Sequence, residues 1–119
     1  ARESQDLFWE KRKQLAAERH AANERRREEN ASKREAWEQR TRANIASNRE
    51  KLAKAEDARG RTLDRIRDLE DKLSETTSDK WRDLFSEWLS EARDKLSNIE
   101  ESVERIEGCI REDEEKLSR

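Results

Sequence analysis

Apolar residues in the second half of the chain recur at alternating steps of three and four, the repeat of a left-handed coiled coil. None of the 119 residues is proline, so no position forbids a helix on that account. We therefore predict an all-α fold made of long helices. The repeat runs through Ala92, Leu96, Ile99, Val103, Ile106, Ile110, Asp113 and Leu117.

The composition fits either a disordered chain or a solvated helix, and the arrangement of charge favours the helix. Only 30% of residues are hydrophobic and 49% are charged, which is typical of disorder. The 28 basic and 30 acidic residues are interspersed, however, and nearly cancel. An acid four residues before a base adds roughly 0.2–0.5 kcal/mol to a helix. Such pairs include Glu29/Lys33, Glu50/Lys54, Asp68/Lys72, Glu91/Lys95 and Glu107/Arg111.

A break at residues 76–78 divides the chain into two predicted helices, about 4–75 and 79–118. Ser78 is a favourable N-cap, and Asp79 places an acid in the first turn, where it suits the helix dipole. Apolar stripes on both sides of the break predict an antiparallel helical hairpin within a single module, 1–119. The stripe before the break is Ile45, Asn48, Leu52, Ala55, Arg59, Thr62, Ile66, Leu69 and Leu73. The residues expected to build the arm are Leu69, Leu73, Trp81, Phe85, Leu89, Leu96, Ile99, Val103, Ile106 and Ile110.

Folding at the break also predicts which side chains meet. The expected neighbours, to within one helical turn, are Leu69 and Leu73 with Trp81 and Phe85, Leu52 with Val103, and Ile45 with Ile110. Trp81, Phe85 and Trp88 should form a small core at the tip of the hairpin.

The start of the chain has no partner within this hairpin. At 1.5 Å per residue the first helix would be ~105 Å long and the second ~60 Å, which leaves about 35 residues unmatched. These residues project alone, bend back or pair with another molecule. Residues 1–61 carry a net charge of +5 and residues 62–119 a net charge of −7, so the halves attract each other. Whether the helix continues through Gly60 is open.

Residues that could support catalysis or bind a cofactor are scarce. The only histidine, His20, has no nucleophile implied beside it, and we predict an ordinary surface residue. Cys109 falls beside the apolar repeat and is predicted to be a partly buried structural thiol. One cysteine and one histidine do not make a zinc site, and two isolated glycines do not make a phosphate loop. We predict no catalytic, cofactor or metal site and no enzymatic activity.

Two groups of residues are candidates for partner binding. Phe8, Trp9 and Trp37 lie outside the dense apolar repeat and are predicted to contact another protein chain. The second group is a basic run that could follow a phosphate backbone: Lys11, Arg12, Lys13, Arg19, Arg25, Arg26 and Arg27. Against nucleic-acid binding, acidic residues follow at once, and at helical spacing the charges are expected to spread around the helix.

Several features bear on where the chain works. No stretch approaches the ~18 apolar residues of a membrane span, and no signal-peptide core is visible. A single cysteine cannot form an internal disulfide. We expect a cytoplasmic protein without membrane partners. Because the sequence begins at Ala1, we also expect it to be a piece of a longer protein.

The segment from Leu7 to Lys13, followed by Glu28-Glu29-Asn30 and Lys33, resembles the helical repeat of a bacterial family named domain of unknown function 349. The repeat of that family begins with an aromatic-rich segment, which is followed by a Glu-Glu-Asn-Leu motif. In this chain Ala31 stands in place of the leucine. The tail 88–117 is similar to the coiled-coil ends of some members. The resemblance implies multi-helix repeats of uncharacterised function, with no catalytic residues to carry over.

Taken together, these features predict a structural or protein-interaction module that acts as a scaffold, spacer or assembly element. Its partner would be another protein or a second copy, bound through the first helix. The alternative is a nucleic-acid-associated helical protein that uses residues 11–27.

Overall fold

The computed structural model describes residues 2–119, with side chains from Glu3 onward. It contains two helices, α1 (Arg2–Glu75) and α2 (Asp79–Ser118), joined by residues 76–78. The predicted all-α helical hairpin is confirmed. α1 continues through Gly60 without a break, and none of the described residues has a positive φ. The chain divides into two compact units, the first ending at Arg40 and the second spanning Thr41–Arg119.

The second unit is the hairpin, and its best-packed part lies near the turn. Ile66 and Leu69 of α1 form a buried cluster with Leu89 and Ala92 of α2. Leu73, Phe85, Trp88 and Leu96 pack against this cluster and are partly buried. Farther from the turn, Ile45, Val103 and Ile110 are also buried. No large side chain in the described chain is completely buried, as expected when only two helices share a core.

Two contacts show how the helices are aligned. Leu73 shares the core cluster with Phe85, as predicted. Leu52 lines a groove with Ile110, which lies seven residues, or about two turns, beyond the predicted neighbour Val103. Three ion pairs cross between the helices at matching positions. They are Arg49–Glu114 at 2.6 Å, Arg59–Glu100 at 3.7 Å and Glu70–Arg93 at 3.4 Å.

Trp81 is more exposed than expected for a residue that builds the arm, but the predicted cluster of Trp81, Phe85 and Trp88 rings at the tip is present. The Trp81 side chain is 47% exposed, and it stacks on Phe85 with ring centroids 5.6 Å apart. The core near the turn is already filled by Phe85 and Leu89 against Leu69 and Leu73. Trp81 therefore covers the outer side of Phe85 instead of inserting between the helices.

The stripe on α1 also differs from the prediction at two places. Arg59 is exposed and pairs with Glu100, whereas the neighbouring Ala58 is partly buried. Thr41 is buried one turn before the predicted start of the stripe. Thr62 is buried as predicted, and its Oγ1 donates a hydrogen bond to the Ala58 carbonyl oxygen at 2.8 Å. This bond satisfies the hydroxyl, so the polar side chain can occupy the seam.

The turn uses the hydroxyls that the sequence places there. Ser78 has an extended backbone (φ −83°, ψ 122°), and its Oγ accepts a hydrogen bond from the Trp81 amide at 3.4 Å. The Ser78 amide donates to the Thr76 Oγ1 at 3.3 Å. Ser78 is thus the N-cap of α2, as predicted, and Asp79 provides the acid in the first turn.

Candidate interaction surfaces

An apolar patch is exposed near the start of α1. It consists of four side chains, which we call the aromatic patch: Leu7 (66% exposed), Phe8 (58%), Trp9 (57%) and Leu15 (51%). The Phe8 and Trp9 rings meet edge to face, with centroids 6.2 Å apart and planes at 75°. The Arg12 guanidinium lies 5.7 Å from each ring centroid. This contact holds a cation over an exposed apolar surface.

Three basic residues of this segment lie on one side of the helix, although all seven together spread around most of its circumference, as predicted. Arg12, Arg19 and Arg26 are seven residues apart, so they lie within about 40° of one another on α1. Phe8 and Leu15 alternate with them on the same side. We call these three arginines the basic stripe. Lys11 and Arg27 flank this side, whereas Lys13 and Arg25 each lie about 120° from its centre, near acidic residues.

Several acidic residues of the same segment lie on the opposite side of the helix. Glu10, Glu24 and Glu28 lie about 160–200° around α1 from Phe8. Asp6 falls in the same sector. The charges are therefore partly segregated: the basic stripe faces away from Glu10, Glu24 and Glu28, whereas Glu18 and Glu29 lie about 60–80° from Phe8 and border the stripe. This segregation becomes visible only when the sequence is projected on a continuous helix.

Trp37 differs from the other two predicted contact residues. It is partly buried and already has a contact within the chain. It also lies about eight turns beyond Trp9 along α1. The structure thus brings Phe8 and Trp9 together but leaves Trp37 separate from them.

A complementary surface lies on α2. Glu87, Asp94 and Glu101 are exposed, seven residues apart, and point away from the core. We call them the acidic stripe. Ser90 and Ser97 alternate with these acids on the same side. This surface was not predicted from the sequence, because the apolar repeat identifies only the buried side of the helix.

A shallow groove of about 390 Å³ runs between the two helices of the hairpin. Its apolar part consists of small side chains and the ring of Trp88, and charged side chains form its rim. The lining residues are Ala58, Arg61, Thr62, Arg65, Trp88, Glu91, Ala92 and Lys95. The groove exists because alanine and threonine fill less space than leucine at these seam positions. No nucleophile and base meet in it.

His20 and Cys109 are both on the surface. His20 Nε2 lies 3.1 Å from a Glu24 carboxylate oxygen, and its side chain is exposed, as predicted. Cys109 was predicted to be partly buried, but it is exposed. It directly precedes the buried Ile110, and one residue rotates a side chain by about 100° around the helix. The thiol therefore points out of the seam.

The described residues contain no cluster of histidine, cysteine and acidic side chains that could hold a metal ion. No helix in this part of the chain has the length and apolarity to cross a bilayer. No protein-family model, no curated protein and no solved structure matches the chain. The resemblance to the helical-repeat family remains a prediction.

Proposed function

We propose that the chain is a non-catalytic interaction module in which the hairpin is a stable helical element and the first unit binds a protein partner. One such partner is a second copy of the chain, and binding to it makes the module a homo-oligomer. The observation that carries this proposal is the aromatic patch. Its four apolar side chains are each more than half exposed on a regular helix.

Exposed aromatic groups of this size support a binding role because they lose contact with water only when something covers them. Isolated surface apolar residues are normal, but here the Phe8 and Trp9 rings contact each other and Arg12 lies beside both, and such clusters are typical of binding sites. Tryptophan and arginine are also enriched among the residues that dominate binding energy. Phe8, Trp9 and Arg12 combine these features within two turns of helix.

Sedimentation equilibrium over a concentration series tests the proposal. The wild-type chain should associate, and the triple variant Phe8→Ser, Trp9→Ser, Leu15→Ser should lose about tenfold or more in association constant. Trp81→Ser is the matched control, because it removes an exposed aromatic outside the patch. A monomeric wild type that also captures no protein ligand would overturn the proposal. Equal losses in both variants would do so as well.

Three further expectations belong to this proposal. The module works without catalysis, cofactor or metal, and its setting is cytoplasmic. The resemblance to domain of unknown function 349 implies a helical repeat of uncharacterised function. Under that resemblance the residues from Leu7 to Lys13 begin one repeat, which is where the aromatic patch lies.

A second candidate function is nucleic-acid association, favoured by the row of arginines on one side of the first unit. Arg12, Arg19 and Arg26 could contact phosphates while Phe8 and Trp9 stack on unpaired bases. This function predicts affinity for single-stranded DNA or RNA that falls steeply as salt rises. Reversing the charge of Arg25, Arg26 and Arg27 should abolish that affinity. Fluorescence anisotropy with a labelled oligonucleotide measures both effects.

A further inference from the structure

We propose that the basic stripe of one copy docks on the acidic stripe of α2 in a second copy. This inference rests on the proposed self-association and names the surface that the first unit recognises. Self-association through two copies of the first unit alone would need no contribution from α2. The two models therefore make different predictions.

The first argument is a match of spacing. The arginines of the basic stripe and the acids of the acidic stripe each recur every seven residues. Seven residues span about 10.5 Å on an α-helix, so three charges on one helix align with three on the other. Arg19 meets Asp94 at the centre, whichever direction the helices run. Interhelical pairs between charges repeated every seven residues also set partner choice in coiled coils.

The second argument is a match of size. The side chains between the arginines include the bulky Phe8 and Leu15, whereas those between the acids are Ser90 and Ser97. Large side chains on one helix pack well against small ones on another, because the helix axes can then approach closely. All four side chains are exposed in the described chain and are available for this packing.

The third argument is that these charges form no ion pairs within one chain, although Arg12 contacts the Phe8 and Trp9 rings. No member of the basic stripe or the acidic stripe takes part in an ion pair among residues 3–119. By contrast, three acids elsewhere on the hairpin pair with arginines across the two helices. The unpaired charges of both stripes would be neutralised by docking, with long-range attraction between the basic half and the acidic half of two copies.

The location of the acid surplus selects α2 over α1 as the docking helix. Residues 82–104 hold seven acidic and three basic side chains, whereas residues 54–72 hold six of each. Asp57, Asp64 and Asp71 of α1 are also exposed and seven residues apart. The segment around them has no net charge, and Arg67 lies between them. Their substitution is therefore a control for the same charge change outside the acidic stripe.

The charge on the back of the first unit favours a protein helix over nucleic acid. A helix in a nucleic-acid groove is surrounded by phosphates, which would repel Glu10, Glu24 and Glu28. A second helix contacts only one side and leaves these acids in water. Gaps beside Ser90 and Ser97 would also accommodate Phe8 and Leu15.

The test uses two charge-reversed full-length chains, examined by sedimentation equilibrium and multi-angle light scattering. One carries Arg12→Glu, Arg19→Glu and Arg26→Glu, and the other carries Glu87→Arg, Asp94→Arg and Glu101→Arg. Each should be monomeric where the wild type associates. A 1:1 mixture of the two should associate again, because the reversed stripes are complementary. A chain with all six changes should self-associate.

A third variant, Asp57→Arg with Asp64→Arg and Asp71→Arg, makes the same charge change outside the acidic stripe and should associate like the wild type. Circular dichroism of every variant confirms that helicity is kept.

Three results would overturn the inference. In the first, charge reversal of the acidic stripe leaves association unchanged, whereas serine at Phe8, Trp9 and Leu15 abolishes it. Self-association would then stand, but α2 would not be the surface that the first unit binds. The mixed chains could fail to associate. Association could also require added oligonucleotide, which would assign the basic stripe to nucleic acid. A monomeric wild type would instead remove the self-association on which the inference rests.

Discussion

Gly60 lies within α1. Glycine destabilises the interior of a helix because it increases the conformational entropy of the unfolded backbone. A Cβ added there would meet no atom within 4 Å, and the backbone φ is negative. Nothing in the described structure therefore requires glycine at this position.

Gly60→Ala should raise the free energy of unfolding by about 0.5–1 kcal/mol, because alanine restricts the unfolded chain and fits the helix. Urea denaturation followed by circular dichroism measures the change. The matched control is Ala53→Gly, at an exposed position two turns earlier in α1, which should lower stability by a similar amount. A loss of stability in Gly60→Ala would show that the glycine has a role that the packing does not reveal.

Ser78 carries the second residue-scale prediction. Ser78→Ala removes the acceptor for the Trp81 amide and should cost about 1 kcal/mol. Ser78→Asp retains an acceptor at the cap and should be close to wild type. Thermal unfolding by circular dichroism distinguishes the two, and equal behaviour of both variants would mean that the cap contributes nothing measurable.

At this scale sequence reasoning identified the cap but misplaced several neighbours in the seam. Counting in sevens assigned Arg59 to the seam, whereas Ala58 is the partly buried residue. The error is local, because Ala55 before Arg59 and Thr62 after it lie in the seam as predicted. Cys109 was misplaced because a single step around the helix separates it from Ile110. Side-chain direction at that precision depends on the packed partner helix.

Among the elements, α2 carries the clearest amphipathic pattern, and Val103 is one of its buried residues. Val103→Asp should destabilise the hairpin by about 3 kcal/mol or more, because it places an unpaired carboxylate in the seam. The expected result is a large drop in helicity and in the melting temperature by circular dichroism. Cys109→Asp makes a similar change at an exposed position and should have little effect; equal losses would contradict the assigned seam.

The two helices were not equally predictable from the sequence. The apolar residues of α2 repeat with few interruptions, and they establish its bounds and its buried side. The stripe on α1 includes alanine, threonine and asparagine, and only the presence of α2 explains why such residues lie in a core. The charged surfaces follow from the sequence once the helices are known to be continuous, which composition alone could not establish.

For the molecule as a whole, the distribution of charge predicts different salt responses for association and folding. Raising the salt from about 0.05 M to about 0.5 M shortens the range of electrostatic attraction to a few ångströms and should weaken association of the copies. The hairpin depends mainly on apolar burial, so its melting temperature should change little when measured at low protein concentration. Sedimentation equilibrium and circular dichroism in the same buffers test this. Association that strengthens with salt would instead indicate an interface held together by the aromatic patch alone.

The crowding of the best-packed side chains next to the turn has a consequence for how the hairpin forms. Leu73 and Phe85 are separated by few residues along the chain, whereas Arg49 and Glu114 must close a loop of more than sixty. Closing the short loop costs less entropy, so folding should begin at the tip and proceed toward the open end. Backbone amides near Leu69 and Leu89 should then be the slowest to exchange with deuterium, and those near Ile45 and Ile110 faster. The hairpin would therefore open first at the end far from the turn, and it would close from the turn outward.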